Sequence, residues 1–452
     1  MFQSLRGDVL GIALCAVSVA AAAAAASDGS LAVTDNALEA APELTVAPPT
    51  DAADVQLFRG NVQVGQLASN PVDPKRMVVG LGLPDSSRCL VRVTSNSGKT
   101  WSTVPLPQPQ PHPGAEPLRY CAASAPAVAY SADGRRLYAA YAYTDYSMQP
   151  GYFISGIVIS ISANGGASWS APTNASDEAS IDSDGGESYY AIRLAAAPDD
   201  TSIYIAAMLP GYFGDSLIFG SSRDRGVTWT SRMIAYGDSI DGTAIGDEGT
   251  LAVGRNGNIL IAYSFYEYED VSEIRHYEIR VARSANYGFS FLDTIADQYR
   301  SADYDDFSVV LDEPDIKIAP LGTAHLVYKK GGKAVLYKYS LSPYTSWSAV
   351  PVRLDGSAQG RVSTPRIAVS ACGQASILHV TWMDGRVLYA RKVAKNGYAW
   401  SRPLTIGTSN TSFGQSDLVG ASAKAFAIWG KYLSWNDRQI LGSSVSSGIT
   451  CP

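Results

Sequence analysis

Four stretches of eight residues repeat one pattern along the chain. They are T-S-N-S-G-K-T-W (94–101), S-A-N-G-G-A-S-W (162–169), S-R-D-R-G-V-T-W (222–229) and S-A-N-Y-G-F-S-F (284–291). Each octet has a hydroxyl residue first, Asn or Asp third, Gly fifth and an aromatic residue last. These residue types suit a turn in which the Asn or Asp side chain accepts backbone hydrogen bonds and the Gly adopts a positive φ. Four copies, 60 to 68 residues apart, predict a repeat array.

The composition favours a strand-rich protein and argues against several functional classes. Of the 452 residues, 46% are apolar and only 17% are charged, so the chain can bury a large core. The net charge of −7 argues against nucleic acid as a partner, because phosphate binding needs a basic surface. The presence of only 4 histidines argues against a His-rich metal protein, whereas 26 tyrosines suit strands and ligand-stacking surfaces.

The first residues are predicted to be a targeting segment. Residues 1–26 contain Arg6, an apolar run and a series of alanines before Ser27, as in a secretory signal peptide. An uncleaved anchor is the alternative. Residues 27–53 lack periodicity and are predicted to be a disordered linker, and residues 54–452 are predicted to form one domain. No later stretch is apolar enough to span a membrane, so we expect a secreted or periplasmic protein.

The octets resemble the Asp-box, or bacterial neuraminidase (BNR), repeat of the sialidase superfamily. The resemblance covers most of residues 54–452. It implies an all-β propeller in which each octet forms the turn between the third and fourth strands of a blade. It also implies a carbohydrate or glycoconjugate partner and an exo-sialidase type of hydrolysis. A non-catalytic glycan- or protein-binding propeller and a uronate polysaccharide lyase are the alternatives.

A second pattern predicts the number of blades. An apolar, aromatic-ended strand follows a Gly or Asp turn in seven places: R-M-V-V-G-L-G (76–82), L-Y-A-A-Y-A-Y (137–143), I-Y-I-A-A-M-L (203–209), I-L-I-A-Y-S-F (259–265), A-H-L-V-Y-K (324–329), L-H-V-T-W-M (378–383) and A-F-A-I-W-G (425–430). We therefore expect seven blades, with six as the alternative. The last repeat is one strand short, and V-Q-L-F-R-G (55–60) would complete it, which closes the ring and removes exposed sheet edges.

The cysteines are expected to form disulfides, because an exported protein folds in an oxidising compartment. Cys15 lies in the predicted signal peptide, and the other four cysteines allow three connectivities. In the propeller layout, Cys89 and Cys121 fall near the upper ends of adjacent blades, and Cys372 and Cys451 near the lower ends of the last two. We therefore predict the pairs Cys89–Cys121 and Cys372–Cys451.

Long loops rich in Asp, Glu and Tyr are predicted to share the face opposite the octets, a mixture that suits sugar hydroxyls. Four carboxylates enter inner strands around the axis and are candidate ligand-binding or catalytic residues: Glu187, Glu248, Glu313 and Asp417. Converging like charges should raise their pKa values or hold a cation such as calcium, although no cofactor or dedicated metal site is expected.

The sialidase resemblance implies roles for particular residues. Sialidases hold the substrate carboxylate with three arginines, and they use a tyrosine nucleophile, an activating glutamate and an aspartate acid/base. Glu248 matches the glutamate, and the other catalytic candidates are Asp247, Tyr190 and Arg59. Phe58-Arg59 matches the start of the family's first arginine motif, but Gly60-Asn61 departs from it. The three candidate arginines for the axis are Arg59, Arg361 and Arg366.

The sequence departs from the sialidase pattern at two positions of the expected active site, and it also contains residue types that a lyase would use. Y-S-F (263–265) stands where an arginine is expected, and S-T-P-R (363–366) stands where the tyrosine is expected. A lyase would need a His or Tyr base beside an Arg, and R-H-Y (275–277) with His276, and Arg119-Tyr120 near His112, supply those residue types. His325 and His379 occupy equivalent points of repeated strands and are predicted to pack in the core. We expect a monomer.

Overall fold

The chain is an all-β propeller in a computed structural model that describes most residues from Asp54 onwards. The described residues are 54–108, 119–121, 123–146, 152–176, 179–182, 189–211, 214–238, 240–269, 274–302, 307–354, 362–370, 373, 375–381, 386–391, 400, 404–408, 413–420, 424–434 and 436–446. The predicted signal peptide and linker, and the predicted Cys372–Cys451 pair, lie outside these residues. No helix among the described residues is long and apolar enough to cross a membrane.

The described strands form seven antiparallel sheets, named I to VII in chain order, and the first strand, β1 (Val55–Gly60), belongs to sheet VII. Sheet I contains β2 (Gln63–Ser69), β3 (Met77–Leu83), β4 (Arg88–Thr94) and β5 (Ser102–Pro105). Sheet II contains β6 (Arg119–Tyr120), β7 (Ala127–Tyr130), β8 (Leu137–Tyr146), β9 (Tyr152–Ser162), β10 (Thr173–Asn174) and β11 (Ala179–Asp182). Sheet III contains β12 (Tyr190–Ala196), β13 (Ile203–Leu209), β14 (Ser216–Ser222) and β15 (Thr230–Tyr236).

The other four sheets follow the same order from the innermost to the outermost strand. Sheet IV contains β16 (Thr243–Val253), β17 (Ile259–Glu269), β18 (Ile274–Ser284) and β19 (Leu292–Ser301). Sheet V contains β20 (Leu311–Ile318), β21 (Thr323–Lys330), β22 (Ala334–Leu341) and β23 (Val352–Arg353). Sheet VI contains β24 (Val362–Val369), β25 (Ala375–Thr381), β26 (Arg386–Arg391) and β27 (Leu404–Thr408), and sheet VII contains β28 (Phe413–Gly420), β29 (Lys424–Ser434), β30 (Asp437–Ser446) and β1. Among the described residues, short 3-10 helices span Pro84–Ser86, Arg255–Gly257 and Phe307–Val309.

The core lies between neighbouring sheets. Each of the seven apolar strands singled out in the sequence falls in the second strand of a different sheet, and β3 and β13 are buried along almost their whole length. Both faces of a second strand are covered, so its sequence is a continuous apolar run rather than an alternating one. Leu260 of sheet IV and Tyr328 of sheet V, for example, belong to the same buried cluster.

The N-terminal strand completes the last sheet, as predicted. Strand β1 pairs antiparallel with β30, from Val55 opposite Gly442 to Gly60 opposite Arg438. The innermost strands of consecutive sheets contact each other, and β28 of sheet VII contacts β2 of sheet I. The two ends of the domain are therefore joined within one sheet, and Leu57 of β1 is fully buried in the cluster between sheets VII and I.

All four octets form the same turn, between the third and fourth strands of sheets I to IV. In the third octet, the Gly226 N–H donates to Ser222 Oγ at 2.8 Å, and the Thr228 N–H donates to Asp224 Oδ1 at 2.8 Å. The equivalent bonds recur in the other three octets. The octet glycines have positive φ, and a Cβ added at Gly288 would lie 2.4 Å from the Phe219 ring of the preceding sheet. The octets are thus structural, as the sequence predicts.

We expect Asp224→Ala to lower the free energy of unfolding by about 1–2 kcal/mol, since it removes side-chain hydrogen bonds from the turn. Asp224→Asn is the matched control, because Asn occupies this position in the other three octets, and it should be close to wild type. Hydrogen bonds from Thr228 lower the pKa of Asp224 to about 2. The stabilisation by this carboxylate is therefore present above its unfolded-state pKa near ~4 and is lost as the pH falls towards 2. Urea titrations at neutral and acidic pH measure both effects.

The predicted Cys89–Cys121 disulfide is confirmed and joins sheets I and II, with a Cα–Cα distance of 5.4 Å. The prediction for His325 is also confirmed. This side chain is buried in sheet V, and its Nδ1 lies 2.8 Å from the Tyr337 hydroxyl. The His379 side chain lies outside the described residues.

Candidate functional site

The inner strands have irregularities near the axis. Pairing with the second strand shifts register in six of the sheets with described residues, I and III to VII. A non-glycine residue with positive φ lies at the shift in four of them: Ala191, Glu313, Thr364 and Gln415. Such bulges re-aim side chains and are frequent beside functional sites. Two residues after each one comes a charged residue: Arg193, Asp315, Arg366 and Asp417.

A cavity of about 240 Å³ lies among these bulges. Sheets I and II contribute small, apolar and neutral polar residues to its lining: Gln63, Val64, Gly65, Ala123, Ser124 and Ala125. The other lining residues are mostly polar or charged: Tyr190, Ala191, Arg193, Glu248, Thr364, Arg366, Gln415, Ser416 and Asp417. The cavity lining thus combines apolar and charged groups.

A larger, shallower depression of about 550 Å³ lies on the octet side of sheets I and II. Its polar residues are largely engaged in turns: Asn70 accepts from the Val72 and Asp73 N–H groups and donates to the Gly134 carbonyl. The axial cavity is the better candidate site, because its charged groups have no such turn-forming role.

Glu248 lies between two arginines. Its Oε2 is 2.9 Å from Nη2 of Arg366 and 3.8 Å from Nη2 of Arg193. Burial alone would raise the pKa of Glu248, but the charges of Arg366 and Arg193 outweigh that effect and lower it. Glu248 is therefore held as a carboxylate.

The guanidinium of Arg366 is bound to other groups of the protein through Nε, Nη1 and Nη2. Its side chain is only 6% exposed, and besides Glu248 it donates from Nε to the Ser416 carbonyl at 3.1 Å and from Nη1 to the Pro365 carbonyl at 3.2 Å. Arg193 is held more loosely, because its pair with Glu248 is long and its bond to the Ile192 carbonyl is 3.4 Å. Of the two, Arg193 is the guanidinium better placed to bind a ligand.

The remaining axial carboxylates bind the backbone of the next inner strand. Asp417 accepts from the Leu67 N–H at 2.7 Å, Asp315 accepts from the Ile367 N–H at 2.8 Å, and Glu313 accepts from the Thr364 N–H. Burial raises the pKa of Glu313 and of Asp417. Lys329 lies 2.7 Å from Glu313 and opposes this shift. These three carboxylates join neighbouring sheets around the cavity.

Tyr190, which lines the cavity, is bonded to a carboxylate outside the lining. Its hydroxyl donates to Oδ2 of Asp215 at 2.8 Å, and Asp215 lies immediately before β14. A tyrosine hydroxyl bonded to a carboxylate, beside an arginine, is an arrangement that can transfer a proton or act as a nucleophile.

The structure places some predicted site residues elsewhere. The expectation that Arg59 joins the axial cluster is wrong: it lies on β1, the outermost strand of sheet VII, and pairs with Asp437 at 2.9 Å with its side chain 61% exposed. His276 does not line the cavity; it lies on β18, 3.0 Å from Glu269. Arg119 is exposed on β6, while Tyr120 is buried. Glu187, Arg361, His112 and the Asp247 side chain lie outside the described residues.

Three functional candidates were missed in the sequence: Arg193, Asp215 and Lys329. Arg193 could have been found by aligning the inner strands, because Y-A-I-R (190–193) and S-T-P-R (363–366) place an arginine at the same offset. No sequence signal singles out Asp215 or Lys329.

Among the described residues, no group of three or more His, Cys, Asp or Glu side chains could hold a metal ion. The expected convergence of like charges is instead an arrangement of carboxylates partnered by arginine, lysine or backbone N–H groups. The effect on pKa is mixed, since that of Glu248 is lowered and those of Glu313 and Asp417 are raised.

Comparisons with known proteins bear on the fold. No protein-family model matches the chain, and no curated protein matches it. The chain is similar in structure to a PL25 ulvan lyase, with a TM-score of 0.55 at 11% identity over 86% of this chain and 95% of that one. It is also similar to the Penicillium chrysogenum α-L-arabinanase (TM-score 0.49, 10% identity, 89% of this chain and 100% of that one). A leech intramolecular trans-sialidase gives a TM-score of 0.44 at 12% identity, over 89% of this chain and 71% of that one. At such low identity the similarity to the ulvan lyase shows a shared fold and no more.

Proposed function

We propose that this protein is an exported, seven-bladed propeller of the Asp-box type, in which each sheet is one blade and the axial cavity binds an acidic sugar. The four identical octet turns and the unbroken contacts between inner strands support the blade assignment. The similarly folded PL25 ulvan lyase is a polysaccharide lyase, which supports a carbohydrate ligand. The disulfide supports export, because such bonds persist in oxidising compartments.

The observation that carries this proposal is the loosely held Arg193 in the cavity wall. A ligand carboxylate can replace its long contacts with a bidentate, charge-assisted pair. Tyr190 and Ser124 add polar groups to the cavity lining, and Val64 and Ala125 add apolar ones. A sugar ring has both polar edges and apolar C–H faces, so this mixture suits it. The site needs no cofactor in this proposal, and we expect EDTA to leave binding unchanged.

In the exo-sialidase form of the proposal, Tyr190 is the nucleophile and Asp215 takes its proton. The phenolate oxygen bonds to the anomeric carbon as the glycosidic bond breaks, and the departing oxygen takes a proton from solvent water. A second water then attacks the anomeric carbon and loses a proton to solvent, while the C–O bond to Tyr190 breaks and Asp215 returns its proton to the phenolate. Arg366, which is paired with Glu248, would add positive charge to the site without contacting the sugar directly. Only two arginines, Arg193 and Arg366, are among the described residues that line the cavity, so binding is supported more directly than hydrolysis.

A uronate lyase is the second candidate, favoured by the same Tyr190–Asp215 pair beside Arg193. Arg193 would neutralise the uronate carboxylate, and Tyr190, deprotonated through Asp215, would take the proton from the adjacent carbon. The C–O bond at the next carbon then breaks and the departing oxygen takes a proton from solvent, to which Asp215 gives up its own proton, so that an unsaturated sugar remains. A fluorogenic sialoside and a uronate polymer followed by ultraviolet absorbance, over a broad pH range, separate the two reactions. Activity on neither substrate, with binding retained, supports a glycan-binding module.

We expect Arg193→Gln to weaken binding of an acidic monosaccharide by roughly 10- to 100-fold, the value of one charge-assisted hydrogen-bonding group. Calorimetric titration with sialic acid, glucuronate and uncharged glucose measures this change. Arg59→Gln is the matched control, because it removes an arginine far from the cavity and should leave the Kd unchanged. Equal binding of glucose and glucuronate by the wild type would contradict the proposed role of Arg193.

A further inference from the structure

Sheet II has an interrupted inner strand, and the interruption forms part of the cavity. Its inner edge consists of two short strands, β6 and β7, which both pair with β8. Cys121 and residues 123–126 lie between them, and Ala123, Ser124 and Ala125 line the cavity. Cys121 has a positive φ of 53°, so the chain turns away from the strand path at this residue. We call Cys121 and residues 123–126 the wall segment.

Close packing against sheet I holds the wall segment in place. A Cβ added at Gly80 would lie 2.0 Å from the Pro126 carbonyl oxygen, and one added at Gly65 would lie 2.1 Å from the same atom. At Gly82, an added Cβ would lie 3.1 Å from the Cys121 carbonyl oxygen. The absence of side chains at these three glycines therefore lets the wall segment approach the backbone of sheet I. Backbone contact this close is a common reason for glycine within a strand.

The disulfide fixes one end of the same segment. Cys121 is bonded to Cys89 of β4, and both residues are 1% exposed, within a cluster that includes Tyr120 and Leu106. Pro126 lies at the other end and accepts from the Gln66 N–H at 3.3 Å. The segment is thus held at both ends against sheet I, while its middle faces the cavity.

We propose that the Cys89–Cys121 disulfide and the Gly80 contact are positioning devices for ligand binding, which hold residues 123–125 in place in the lining of the cavity that contains Arg193. This inference rests on the proposed acidic-sugar site. Without the disulfide, the wall segment can relax towards the strand path of sheet II and into the cavity, because nothing else covalent ties it to sheet I. Cys89 and Cys121 themselves do not line the cavity. Their effect on binding is therefore indirect, through residues 123–125.

The test uses the whole protein with Cys89→Ala and Cys121→Ala together, at a temperature where circular dichroism shows it fully folded. We expect the Kd for the acidic monosaccharide that binds best to the wild type to rise at least about tenfold, since small misplacements of supporting groups cost this much. Amide hydrogen exchange in residues 119–126 should become faster, with exchange elsewhere in sheet II unchanged. A disulfide that only stabilises the fold would change neither quantity under these conditions.

Two glycine variants control for lost stability. Gly80→Ala leaves the disulfide intact but pushes on Pro126, and it should weaken binding in the same direction. Gly288→Ala disturbs an octet turn far from the wall segment and should leave the Kd unchanged. Wild-type binding by the double cysteine variant, or unchanged exchange in residues 119–126, overturns the inference. If the wild type binds no acidic sugar, the proposed function fails, while the exchange rates still decide whether the disulfide positions the segment.

Discussion

Replacing Glu248 with Ala is expected to lower the free energy of unfolding by about 3 kcal/mol, the scale of leaving a buried charge without its partner. Arg366 is the charge concerned, since its side chain is 6% exposed and its Nη2 lies 2.9 Å from Glu248. Burial alone would lower the pKa of Arg366, but Glu248 and the neighbouring carboxylates outweigh burial and raise it. An arginine is charged at neutral pH even without such a shift, and Asp315, Asp417 and Glu313 remain near Arg366 in the variant. The buried guanidinium must therefore be accommodated without Glu248.

The Arg59–Asp437 pair provides a matched control, because its N–O distance is also 2.9 Å but the Arg59 side chain is 61% exposed. Arg59→Gln should not change the urea midpoint measurably, since exposed ion pairs contribute little. Urea denaturation of both variants at neutral pH compares them directly. Equal stability of Glu248→Ala and the wild type would show that water or a rearranged carboxylate replaces Glu248 beside Arg366.

The stability that the Glu248–Arg366 pair contributes should decrease as the pH is lowered. The folded-state pKa of Glu248 is lowered, so its contribution is complete above the unfolded-state pKa of about 4.3 and is lost as the pH falls through the folded-state value. Glu248→Gln keeps the shape and removes the charge. The stability difference between wild type and Glu248→Gln should therefore shrink below about pH 4. Asp417, whose raised pKa has no contribution from Glu248, is present in both proteins and cancels in this difference. Glu313 does not cancel fully, because the charge of Glu248 helps to raise its pKa.

Local repetition made the fold predictable. The octets, the seven apolar second strands and the closing strand 55–60 are all patterns of a few adjacent residues, whose structure depends on turn chemistry and burial. The Cys89–Cys121 pair was predicted from the order of the strands, which places the two cysteines near the ends of neighbouring repeats. The site depended on features that such patterns do not contain. A bulge shifts a strand by one residue and turns a different side chain towards the axis, which is how Arg193 came to face Glu248.

Arg59 was predicted to lie at the site but does not, whereas Arg193 lies there and was not predicted. A match of two residues, Phe58-Arg59, indicated a family motif, but a motif does not determine which strand of a sheet a residue occupies. Strand β1 is the outermost strand of its sheet, so Arg59 faces solvent and its nearest carboxylate is Asp437. Arg366 was placed correctly near the axis because it lies in a strand that the repeat itself identifies as innermost.

Removing the Cys89–Cys121 disulfide is expected to lower the free energy of unfolding by about 3–4 kcal/mol. The two cysteines are 32 residues apart, and closing a loop of that length restricts the unfolded chain by roughly this amount. Alanine is the replacement of choice, because both positions are buried in an apolar cluster where a serine hydroxyl would lack a partner. The effect should appear mainly as a shift of the urea midpoint, measured on Cys89→Ala/Cys121→Ala without reductant.

A reductant distinguishes this disulfide from the second predicted pair. Dithiothreitol at high urea should destabilise the wild type by at least the amount lost in the double variant, because each disulfide is reduced once its cysteines are exposed by unfolding. Any further shift that dithiothreitol causes in the double variant then measures the predicted Cys372–Cys451 disulfide. A double variant as stable as the wild type would mean that the packing of Cys121 and residues 123–126 against sheet I, rather than the covalent bond, holds sheets I and II together.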